Sequence, residues 1–131
     1  MIEDEVFEIL RHKDGHGGVL NEMADQFRRG RDARELIDLL DSDRADVVSI
    51  GLWILNDLPF KLYNRDTFLL RLRTLLAHSD SSVRFHALGA LFPAFNANDP
   101  DDQALLRKLR NDPNEGVRGA AEAAAARLGL T

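Results

Sequence analysis

The chain has 131 residues, 44% hydrophobic and 30% charged, which is enough for one small core and too short for several large domains. It has no cysteine, excluding disulfide frameworks and thiolate-bound zinc, and no apolar run near the roughly 18 residues of a membrane span. The net charge of −5 lies wholly in the first half: residues 1–65 carry fourteen acidic and nine basic side chains, residues 66–131 eight of each.

In chain order, the first element is a helix marked by Ile2, Val6, Ile9 and Leu10. Its acidic start, Glu3-Asp4-Glu5, suits a helix N-terminus. That start lacks the basic-then-apolar layout of a signal peptide, so a cytoplasmic protein is expected. Gly15-His16-Gly17-Gly18 breaks the pattern. His12 and His16 have the spacing of two metal ligands on one helical face, but the surrounding glycines favour a polar turn, and no metal is expected. Val19, Leu20, Met23, Ala24 and Phe27 mark a second helix, which Gly30 ends.

Three copies of one pattern follow. They read Val47-Val48-x-x-Gly51-x-x-Ile54-Leu55, Val83-Arg84-x-x-Ala87-x-x-Ala90-Leu91 and Val117-Arg118-x-x-Ala121-x-x-Ala124-Ala125. The valines are 36 and then 34 residues apart, a period that points to stacked helical hairpins. Spacing of +4, +7 and +8 puts these residues on one helical stripe, and Gly or Ala at +4 permits close helix contact. Before each valine lies a leucine-rich segment: Leu36-Leu39-Leu40, Leu69-Leu70-Leu72-Leu75-Leu76 and Leu105-Leu106-Leu109. Short turns rich in Asp, Ser and Asn join the two segments and can cap the second helix, with Pro113 suited to a first helical position. Pro93 falls within the third hairpin's helical pattern and should kink or end that helix.

These residues resemble the HEAT-repeat family, in its short bacterial form grouped with phycobilisome-lyase-like repeats. The resemblance covers about residues 31–129, is closest in the middle copy, and departs in the first at Val48 and Gly51. It implies an all-α, short right-handed α-solenoid, one domain of four hairpins at about 2–29, 31–57, 65–96 and 100–129. It also implies a ladder of Arg84 and Arg118 with the turn residues Asp80 and Asp112. The segment Asp25-Gln26-Phe27-Arg28-Arg29-Gly30-Arg31-Asp32, with Trp53-Ile54-Leu55, is similar to small HEAT-like proteins that act as immunity proteins beside polymorphic toxins.

With Val47 at the centre of the buried stripe, a step of about 100° per residue puts Ser49, Trp53, Asn56 and Asp57 on the far side. The corresponding far positions are Phe85, Gly89 and Phe92, with His86 at the margin, then Gly119, Ala123 and Ala126. The resemblance implies that these second helices line a concave surface. Trp53, Phe85 and Phe92 have two places open to them, exposed on that surface or packed between repeats. Trp53 stands where the later copies have Gly89 and Ala123, which favours a task of its own and a binding hot spot. Glu22 and Asp25, from the acidic half, join the expected binding set.

Catalytic motifs are missing: there is no Gly-x-Ser-x-Gly, no His-Glu-x-x-His and no phosphate-binding loop. Carboxylate pairs such as Asp41/Asp43 and Asp101/Asp102 sit where Asp caps helices. The expectation is a non-enzyme without cofactors, an immunity or antitoxin protein that blocks a basic toxin domain; the alternative is a general adaptor or assembly scaffold. Acidic surfaces repel phosphate backbones, so nucleic acid is not expected as a ligand.

Overall fold

Apolar stripes at helical spacing drive this chain into helices that each bury one side. The computed structural model describes residues 2–11, 16–59, 64 and 66–130. Among them are eight α-helices and no strand: α1 Ile2–Arg11, α2 His16–Arg28, α3 Leu36–Leu40, α4 Ala45–Asp57, α5 Asp66–Leu75, α6 Ser81–Leu91, α7 Pro100–Leu109 and α8 Glu115–Arg127. None is long and apolar enough to cross a membrane, and the described residues include no cluster of His, Asp and Glu able to hold a metal ion. His12 and Asp14 lie outside the described residues. Two compact units, Met1–Arg71 and Leu72–Thr131, divide the chain within α5.

In the first unit, α1 packs on α2, α3 and α4, and α3 packs on α4. Ile2, Val6 and Ile9 of α1 and Met23, Ala24 and Phe27 of α2 are all buried core residues. The α2 helix starts at His16, ahead of its apolar pattern. Gly30 ends it with φ 116°, a conformation that other residues avoid. There Gly30 N–H donates to the Phe27 carbonyl and Arg31 N–H to that of Gln26, closing the last turn in a Schellman motif. A 3-10 turn, Ala33–Glu35, leads into the short α3. Gly51 explains the tight contact of α3 with α4: a Cβ there would lie 2.9 Å from Leu39 Cβ. The Arg31 guanidinium ties the unit's start together by pairing with Glu5 and Glu35 and lying 5.0 Å from the centre of the Phe27 ring.

The second unit takes the end of α5 with α6, α7 and α8, and both α6 and α7 pack on α8. Its core is Leu72, Leu75, Val83, Ala87, Leu91, Leu106, Leu109, Val117 and Ala121, all buried. Each such valine or leucine side chain contributes about 1.5–3 kcal/mol by leaving water. The α6 helix stops at Leu91, and Phe92–Ala94 continue as one 3-10 turn carrying Pro93, which cannot donate the next helical hydrogen bond. Asp99 caps α7 ahead of Pro100. Asp102, 2% exposed, pairs with Arg73 and accepts the Asn96 N–H at 2.9 Å.

The turns before α6 and α8 repeat bond for bond. His78 Nδ1 accepts the Asp80 N–H at 3.0 Å; 34 residues on, Asp112 Oδ1 accepts the Asn114 N–H at 2.8 Å. Asp80 and Asn114 then cap their helices by accepting from Val83 and Val117. Arg84 donates to the His78 and Ser79 carbonyls, and Arg118 to those of Asp112 and Pro113, at 2.8 and 3.1 Å in both copies. Only one carboxylate joins the expected ladder: Arg84 grips Asp112 through Nε at 2.8 Å and Nη2 at 2.9 Å. Asp80 is committed to its cap, and Pro113 precedes the cap rather than opening the helix. In the first copy Ser42 Oγ accepts the Arg44 N–H in the same manner, but Arg44 at the cap position provides no side-chain cap.

The far-side glycine of α8 allows a control on this register. A Cβ at Gly119 would meet nothing within 4 Å. Gly119→Ala should therefore stabilise the protein by about 0.5–1 kcal/mol through backbone entropy alone. Urea denaturation followed by circular dichroism measures it; a lowered midpoint would place a neighbour against that helix face.

Candidate partner-binding surfaces

The residues placed opposite Val47 on α4 do face away from the core. Trp53 is 37% exposed, Asn56 and Asp57 are exposed, and Ser49 is half-buried, while Val47, Ile54 and Leu55 are buried. A tryptophan left partly in water at a surface is a residue type common among binding hot spots. Asp57 lies one helical turn beyond it. Arg28 of α2 pairs with both Asp57 and Asp25, drawing two of the expected acidic contacts together around one cation. Those two carboxylates therefore share a positive charge instead of presenting two free negative ones. Glu22, exposed on α2, has no ion-pair partner among the described residues.

The other three expected residues belong to the second unit. Phe85 is 44% exposed, and its ring meets the His86 ring edge-on at 5.4 Å between centroids. His86 is half-buried, with Nδ1 donating to the Ser82 carbonyl at 2.7 Å. Phe92 is half-buried. Phe85 and Phe92 line a surface groove of about 320 Å³ between α6 and α8, with Leu88 beside them and Gly89, Ala120 and Ala123 leaving its space open. Arg127 also lines it and has no ion-pair partner among the described residues.

Two exposed apolar residues depart from the sequence reading, which placed both in the apolar faces. Leu70 on α5 is 76% exposed and Val19 on α2 is 48% exposed. For Leu70 a signal existed. Phe68, Leu72, Leu75 and Leu76 repeat the +4, +7, +8 stripe and are all buried, which puts Leu70 about 200° from Phe68. An acidic recess lined by Glu3, Asp4, Asp38 and Asp41 also lies on the first unit. Asp41 there receives Arg71 Nε at 3.1 Å.

No protein-family model, curated protein or solved structure matches the chain.

Proposed function

We propose that this chain is a non-catalytic protein-binding module of HEAT-like α-solenoid build, and that it acts in the cytoplasm as an immunity protein blocking a basic toxin domain. The observation that carries the reading is Trp53, a large ring left partly in water at a repeat position that is Gly89 or Ala123 in the other copies. Core packing does not require a ring there, since the other copies do without one. The matching turn hydrogen bonds before α6 and α8 support the repeat, and thus a solenoid. The negative excess of the first half supports a basic partner through electrostatic steering.

The test is affinity capture from the native host with identification of what is retained, wild type beside Trp53→Ala. One basic, growth-inhibiting polypeptide, held by the wild type and neutralised on co-expression, is the expected result. Trp53→Ala should weaken that complex by about 2 kcal/mol or more and leave the melting temperature nearly unchanged. Several unrelated proteins would mean an adaptor or scaffold. A large loss of stability with unchanged capture would make Trp53 a packing residue.

A further inference from the structure

The groove between α6 and α8 is lined at two repeat positions by Gly89 and Ala123, which carry no more than a methyl group. The position that holds Trp53 in α4 holds Gly89 in α6 and Ala123 in α8. One repeat position thus serves as a projection in the first unit and as an opening in the second. The walls are apolar, Phe85, Leu88 and Phe92, and Phe85 keeps 44% of its surface in water. Covering such surface is favourable because it removes apolar area from water. Among the described residues, Arg127 is the one charged residue on the lining, and no carboxylate among them answers it. Glu122, five residues before it on α8, falls about 140° around the helix.

We propose that this groove seats a segment of the partner protein bearing a bulky apolar side chain and, about one helical turn away, a carboxylate that meets Arg127. The proposal rests on the reading of this chain as a protein-binding module. A ring or branched side chain fills the space left by Gly89 and Ala123, as no small residue would. A basic residue at the second place would be repelled by Arg127 without compensation, so the groove selects its segment by charge as well as size. The partner's overall charge is a separate matter, set by the acidic first half.

The test uses the full chain and two fluorescein-labelled synthetic helical peptides. Both carry Phe and Leu along one face; one is flanked by Glu and the other by Lys. Fluorescence anisotropy should show the Glu peptide bound about threefold to tenfold more tightly. Arg127→Ala should erase that difference, and Ala123→Phe should abolish binding by filling the groove. Ala123 and Arg127 are exposed, and thermal melts verify that both variants fold. The proposal is overturned by equal or tighter binding of the Lys peptide, by binding to neither, or by full binding to Ala123→Phe. It is also overturned by a concentration-dependent dimer that Trp53→Ala dissolves, since a second copy would then occupy the groove. Peptide failure beside Trp53-dependent capture removes the groove and leaves the protein-binding reading intact. Peptide binding beside capture indifferent to Trp53 removes the Trp53 reading instead.

Discussion

Arg84→Ala should destabilise the protein by about 3 kcal/mol or more, a large share of the 5–15 kcal/mol that holds a small domain together. The guanidinium is mostly buried and makes four hydrogen bonds: two to the Asp112 carboxylate and one each to the His78 and Ser79 carbonyls. Removing it strands Asp112, itself buried, without the charge that compensates its loss of water. Arg118→Ala removes the same two carbonyl bonds but strands no carboxylate. Its cost should be about 1–2 kcal/mol. Urea denaturation of both variants measures the gap. Equal losses would mean that the carbonyl bonds, and not the Arg84–Asp112 pair, stabilise these turns.

The same pair predicts how acid acts. Hydrogen bonds from Arg84 hold the Asp112 carboxyl below its ordinary range, with the Asn114 N–H adding to the effect and burial opposing it. A folded value below the unfolded one means that the folded state favours the ionised form. The resulting stability is present above the unfolded value near pH 4 and is lost as pH falls through the lower folded value. Asp112→Asn should therefore be less stable than the wild type at neutral pH and lose less as the solution is acidified. Parallel curves for the two proteins would assign the acid sensitivity to other carboxylates.

Residues whose environment is set by their own helix were legible in the sequence. The stripe valines Val47, Val83 and Val117 are fully buried, and opposite them Trp53, Phe85, Gly89, Gly119 and Ala123 are exposed, with Ser49 and Phe92 half-buried. Helical period alone decides such cases. Leu70 was misplaced because a run of leucines obscures which ones share the stripe, although Phe68 and Leu72 define it. Arg28 was beyond reach for another reason: its bridge between Asp25 and Asp57 depends on where α2 lies beside α4. Likewise helical period places Phe85 on the exposed side of α6, whereas Phe92 is half-buried beyond the helix end and Arg127, distant in sequence, joins both only through the packing of α6 on α8. Periodicity reports which face a residue takes, and tertiary packing alone determines the neighbours it finds there.

Gly51→Leu tests that division at the point where the two meet. Position 51 matches Ala87 and Ala121, which are fully buried, so helical period predicts only that something small belongs there. The structure adds that even a methyl group is too large: a Cβ would sit 2.9 Å from Leu39 Cβ and 3.2 Å from Leu40 Cδ2. Leu39 Cβ is bonded directly to the α3 backbone and cannot swing aside, so relief requires α3 to move away from α4. Replacing glycine in a helix ordinarily gains about 1 kcal/mol, and overpacking a filled core ordinarily loses about 1–3 kcal/mol, occasionally more. Here the second effect wins because the contact is backbone-anchored. A net loss of about 2–3 kcal/mol is expected for Gly51→Leu, and a smaller loss for Gly51→Ala despite its better helix propensity. Both are read from urea midpoints beside Gly119→Ala, where the same change of residue meets open space and should stabilise. If Gly51→Ala also stabilised, the close approach of α3 and α4 would not be a constraint on their hairpin, and glycine would stand there for some reason other than size.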